Sequence, residues 1–112
     1  MVLSKSNKGA LAEYRVACYL LASGNWLVFR SLTPNGSVDM VLLHHRGHLL
    51  KCQVKSAVAS GAATAANPKH LRQGRNHVLA VVTPDNIVFK VINRQVQKLF
   101  PGSILARPAK KK

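Results

Sequence analysis

Three carboxylates are all that this chain carries, at Glu13, Asp39 and Asp85, against 17 lysines and arginines. Asp85 follows Pro84 and precedes Asn86, a turn composition that needs no chemistry to explain it. Glu13 falls on the inner flank of an amphipathic helix, in line with Val16, Ala17 and Leu20. Asp39 is the second residue of the run VDMVLL, where a strand disfavours aspartate. Strand alternation places Asp39 on one face with Val41 and Leu43. In LKCQVK it places Lys51, Gln53 and Lys55 on one face and Leu50, Cys52 and Val54 on the other. If a hairpin brings that polar face beside Asp39, then Asp39, Gln53 and Lys55 converge, and the first helix, packed on the same face, adds Glu13.

Such a group suits a hard divalent cation. Magnesium takes one or two carboxylates together with water and substrate phosphate, and the Gln53 amide oxygen or the Val54 carbonyl can join them. Lys55 would then orient or deprotonate an attacking water, or stabilise the charge that develops on phosphorus. The chemistry expected of these residue types is metal-assisted phosphodiester hydrolysis.

The elements that must position this group can be read along the chain. Residues 8 to 23, KGALAEYRVACYLLAS, predict a helix capped by Ser6 or Asn7 and ended by Gly24. Leu11, Tyr14, Cys18 and Leu21 form the stripe expected to face the core. Strands are predicted at 26 to 32, 38 to 45 and 48 to 57, with TPNGS as the first turn and Arg46-Gly47 as the tip of a tight hairpin. Residues 58 to 66, VASGAATAA, form a small-residue loop or weak helix. Asn67 and Pro68 then open a short helix through Gln73. Strands at 77 to 83 and 86 to 92 and a closing helix at 93 to 100 complete the order helix, three strands, crossover, two strands. That order predicts an α/β domain with a mixed sheet flanked by helices over residues 1 to 105, followed by a disordered basic tail at 106 to 112.

At 112 residues the chain is sized for one domain, and its 47% apolar content excludes disorder of the whole. A formal charge of +14 points to a polyanionic partner whose phosphates Lys8, Arg30, Lys69, Arg72 and Arg75 could contact. No apolar run is long enough to span a bilayer and no signal peptide is evident, which predicts a cytoplasmic protein without a membrane partner. The two cysteines, Cys18 and Cys52, read as reduced, buried thiols. His44, His45 and His48 read as exposed turn residues rather than a zinc cluster, His70 and His77 as part of the polar surface of the crossover, and Trp26 and Phe29 as core.

The run from KGALAEYRVACYLLASGNWLVFRS through SVDMVLL to LLKCQVKSA resembles the PD-(D/E)XK nuclease superfamily, with the layout of Holliday junction resolvases and small intron-encoded or restriction-like endonucleases. The resemblance implies a restriction-endonuclease-like fold in α-β-β-β-α-β-β order. It implies a helix glutamate at Glu13, the motif aspartate at Asp39, and the second acidic position and motif lysine at Gln53 and Lys55. It further implies a Mg2+-dependent endodeoxyribonuclease, with Mn2+ as a substitute, acting on duplex or branched DNA as a homodimer or higher oligomer. Val38 stands where the motif proline would directly precede Asp39, and Gln53 replaces an acid. The alternatives are a nucleic-acid-binding module of the same fold without catalysis, and an unrelated basic ribosome-associated protein.

Overall fold

The computed structural model describes residues 5–30, 39–57 and 76–105. Helix α1 spans Lys5–Ala22. It ends as expected: the Ser23 and Gly24 amides donate to the Leu20 and Leu21 carbonyls, and Gly24 turns the chain at φ 77°, a conformation costly for any residue with a Cβ. Strands β1 (Trp26–Arg30), β2 (Met40–His44), β3 (Leu49–Ser56), β4 (His77–Val82) and β5 (Ile87–Val91) match the predicted runs to within two residues at each end. A short helix α2 (Arg94–Gln97) and a two-residue strand β6 (Ile104–Leu105) follow.

The six strands form one mixed sheet in sequence order, β1-β2-β3-β4-β5-β6. The pairs β1–β2, β2–β3 and β4–β5 are antiparallel, whereas β3–β4 and β5–β6 are parallel. The chain is therefore a mixed α/β fold. The hairpin tip contains the predicted Arg46-Gly47 but is three residues long, 45 to 47, closed by the His44 amide on the His48 carbonyl at 2.9 Å; Gly47 adopts φ 95°, and its amide donates to the His44 carbonyl at 2.8 Å. The parallel β3–β4 pair requires a crossover. The predicted loop at 58–66, the helix through Gln73 and the basic tail at 106–112 lie outside the described residues.

Helix α1 inverts the predicted stripe. Ala12, Val16, Ala17 and Leu20 are buried, whereas Leu11, Tyr14 and Leu21 are 51%, 53% and 53% exposed and Cys18 is exposed as well. The reason is size: Ala12 and Ala17 present a flat surface that lets the helix approach the sheet, and Val16 and Leu20 then fill the contact. This face packs on Met40, Leu42, Leu50 and Cys52, with Val78, Ala80 and Val91 completing the same layer. On the opposite face of the sheet, Leu79 and Val81 form a second buried cluster with Ala57, Val88 and Ile92 against it.

Alternation also decides the aromatics. Trp26 is buried, stacked on Phe100 at 4.9 Å and edge-on to His44 at 4.6 Å between ring centroids. Phe29, three positions on, falls on the other face and is 53% exposed, against the core position expected of it. His44 shares the Trp26 side of the sheet and is buried instead of lying in the exposed turn. His77, the first residue of β4, is likewise buried instead of joining a polar crossover surface. The predicted closing helix is shortened to a single turn capped by Asn93. Its last amides, Leu99 and Phe100, donate three residues back, and this tighter winding carries Phe100 into the aromatic cluster. Among the described residues no helix is long and apolar enough to cross a membrane.

Candidate active site

The β2–β3 hairpin sets the site. Its register pairs Met40 with Cys52, and one further step places Asp39 opposite Gln53. The Asp39 amide donates to the Cys52 carbonyl at 3.0 Å, and the Asp39 Oδ2 accepts from the Val54 amide at 2.7 Å. The aspartate is thus clamped from both its backbone and its side chain to the strand that carries Gln53, Val54 and Lys55. An aspartate that accepts a backbone N–H in a half-buried position is held in one rotamer, which is what a ligand for a cation requires.

Glu13 reaches the same region from α1, although not by the predicted route. The helix packs on the apolar Leu50–Cys52 face of β3, opposite the face on which alternation places Lys51, Gln53 and Lys55. Glu13 approaches instead past the end of β1, where Arg30 Nη2 lies 3.7 Å from its Oε1. The same guanidinium covers the Tyr14 ring at 4.5 Å from its centroid. Partial burial pushes the Glu13 carboxyl above its usual range, the negative charge of Asp39 pushes it further, and Arg30 opposes both. Two carboxylates close enough to repel one another, with one guanidinium as partial compensation, leave an anionic centre at the mouth of the hairpin.

The structure therefore brings together Glu13, Asp39 and the Val54 backbone, and sets Gln53 across from Asp39. Lys55 is exposed near the end of β3, and no hydrogen bond or ion pair joins it to either carboxylate among the described residues. Of the predicted phosphate contacts, Arg30 is engaged with Glu13. Lys69, Arg72 and Arg75 lie outside the described residues, and of Lys8 only the helical backbone is described. Among the described residues no group of three or more His, Cys, Asp or Glu side chains is placed to hold a metal ion. A divalent cation here would rest on Glu13 and Asp39, with the Gln53 amide and the Val54 carbonyl as neutral donors. Magnesium needs no more from protein than one or two carboxylates, so this oxygen-only donor set fits it.

Sequence reasoning missed two participants. Tyr14 was assigned to the core, yet it supports Arg30 from the exposed side of α1; no spacing rule signals this. Arg15 donates from Nη1 to the Thr83 carbonyl at 2.6 Å and ties the helix to the end of β4, a contact 68 residues apart in sequence. The buried Cys52 thiol lies behind the site. Burial, together with the Asp39 charge, holds its pKa far above the ordinary thiol range, so it is an inert packing group and not a nucleophile. No family model, curated protein or solved structure matches the chain.

Proposed function

We propose that this chain is a divalent-metal-dependent nuclease domain of the restriction-endonuclease-like type, hydrolysing phosphodiester bonds in duplex or branched DNA. The observation that carries the reading is the clamped Asp39: its carboxylate is fixed on the Val54 amide at 2.7 Å, one strand position across from Gln53, and it repels Glu13. Arg30, 3.7 Å from Glu13, offsets only one of the two carboxylates, so the pair leaves a net negative charge for a divalent cation to neutralise. Mg2+ bound there would supply Lewis-acid stabilisation of charge at the scissile phosphate. Asp39 and Glu13 would hold it, and the Gln53 amide would orient one oxygen toward it. Lys55, at the exposed end of β3, would meet the phosphate or the attacking water from the solvent side. The large excess of lysines and arginines would give binding a strong phosphate-directed component, which favours recognition of DNA shape over sequence.

A second reading has its own observation. Arg30 already neutralises part of Glu13, and Gln53 contributes no charge, so the same scaffold without a resident metal would bind DNA and leave it intact. The two are separated by incubating purified protein with linear, nicked, flapped and four-way DNA in Mg2+ or Mn2+. Cleavage lost in Asp39→Asn supports the nuclease. Binding to these DNAs without cleavage in either metal supports the binding module.

A further inference from the structure

The outer side of α1 carries an apolar seam that no other described element covers. Leu11, Tyr14, Cys18 and Leu21 are separated by three, four and three residues, the spacing of a seam between paired helices. They lie on the side of α1 away from buried Ala12, Val16 and Leu20, and all four are exposed. Ala10 and Ala22 flank the seam and allow a second helix to approach closely. Of the flanking cations, Arg15 is drawn away to the Thr83 carbonyl, and Arg30 lies over the Tyr14 ring with its guanidinium 3.7 Å from Glu13.

We propose that two copies of this chain pair through α1, the helices antiparallel about a two-fold axis that crosses the exposed seam midway between Tyr14 and Cys18. A second copy is the occupant that the seam itself specifies. Antiparallel pairing sets Leu11 of one copy against Leu21 of the other and the large Tyr14 against the small Cys18, twice over, so the surface is complementary to itself. The half-exposed Leu11, Tyr14 and Leu21 each leave roughly 100 Å² in water. With Cys18 and the flanking alanines the pair would bury on the order of 800 to 1,000 Å² in total, the size of a transient interface. The expected dimer is therefore weak, with a dissociation constant in the tens of micromolar.

Charge gives this dimer a recognisable signature. Two copies at +14 repel, and salt screens the repulsion, so the dimer tightens as salt rises, whereas binding to DNA weakens. The seam also borders the candidate site, because Tyr14 supports the guanidinium that pairs with Glu13. The pairing itself does not rest on the nuclease reading.

Sedimentation equilibrium of the full chain, from about 5 to about 500 µM and from about 0.1 to about 0.5 M NaCl, tests this directly. A monomer–dimer equilibrium that tightens several-fold with salt is expected. Leu11→Lys combined with Leu21→Lys should weaken it at least about tenfold with an unchanged circular dichroism spectrum, since both residues are exposed. Leu27→Lys with Phe29→Lys, equally exposed but on the far face of the sheet, should leave it intact. A short bis-maleimide should link the wild-type dimer through Cys18 and fail with Cys18→Ser, Cys52 being buried; this readout stands even if the lysine variant misfolds. A monomer at every concentration overturns the proposal. So does a dimer indifferent to the α1 substitutions, or one abolished only by those on β1, which would place the interface on the sheet.

Discussion

Replacing Asp39 by alanine and by asparagine separates what its carboxylate does for the fold from what it does for a cation. The 2.7 Å bond to the Val54 amide is charge-assisted and half-buried, and such bonds are worth about 1.5–3 kcal/mol. Asp39→Ala leaves that amide unpaired but relieves the repulsion on Glu13, so a net loss of about 1–2 kcal/mol is expected. For a domain of 112 residues this lowers Tm by roughly 4–8 °C. Asp39→Asn keeps an oxygen acceptor and removes only the charge, and its Tm in EDTA should stay within about 3 °C of the parent. Magnesium adds the second axis: at 10-fold over a dissociation constant of about 1 mM it stabilises the folded parent by about 1.4 kcal/mol, a Tm rise of roughly 5 °C. Both variants should lose that rise. The assay is differential scanning calorimetry with and without about 10 mM MgCl2. If the asparagine variant falls as far as the alanine variant in EDTA, the hydrogen bond is not what holds the hairpin mouth. If it keeps the full magnesium-dependent rise, the carboxylate pair is not the cation site.

Three further outcomes are expected. Gln53→Glu adds a carboxylate directly across from Asp39; it should lower stability in EDTA, raise magnesium affinity measured by calorimetric titration, and at least preserve cleavage of DNA. Arg30→Gln removes the cation that opposes burial and Asp39 at Glu13, so the Glu13 titration followed by carboxyl NMR should move upward, and a downward move would contradict the ion pair. His44 is buried against Trp26, and burial, then His45, His48 and Arg46, lower its pKa. A base whose folded pKa is depressed stabilises fully above its unfolded value of about 6.5 and loses that stability as pH falls through the folded value. Tm should therefore fall below about pH 6.5. His44→Phe should flatten part of the slope, leaving the share that His77, depressed by burial and Lys51, contributes in the same direction.

The hairpin that builds the site is legible in the sequence, but its register is not. Arg46-Gly47 marks the turn, and the alternation of VDMVLL and LKCQVK fixes which residues of each strand share a face. A two-residue tip at Arg46-Gly47 would pair Asp39 with Val54; the observed register, Leu43 on Leu49, lengthens the tip by one residue and brings Asp39 opposite Gln53. The orientation of α1 is not legible in the same way. Two stripes of the helix carry apolar residues, and periodicity favours the bulkier one. Close approach to a sheet favours the flatter one, with Ala12 and Ala17, and only the partner surface decides between them. Phe29 and His44 failed for a related reason. Hydrophobicity suggested core for one and turn for the other, but parity along the strand outranks residue type once Trp26 is anchored against Phe100. The two-residue β6 is too short to leave a pattern. Its place depends on Gly102, at φ 80°, which turns the chain back beside β5.

The charge at the hairpin mouth explains why Gln53 matters more than its size suggests. Glu13 and Asp39 supply two negative charges and Arg30 returns one, so the side chains joined there carry about one net negative charge toward a divalent ion. A glutamate at position 53 would double it. With glutamine, the remaining anionic ligand has to arrive from outside, and in a chain of charge +14 the anion that accumulates at its surface is phosphate. On the proposed nuclease reading metal and DNA would complete one another: each phosphate oxygen that reached the site would replace the missing carboxylate, and linkage requires that the cation strengthen DNA binding by the same factor by which DNA strengthens cation binding. On that reading such a site would hold its metal only weakly until the substrate is in place, and with the neutral Gln53 it would be DNA that tightens cation binding.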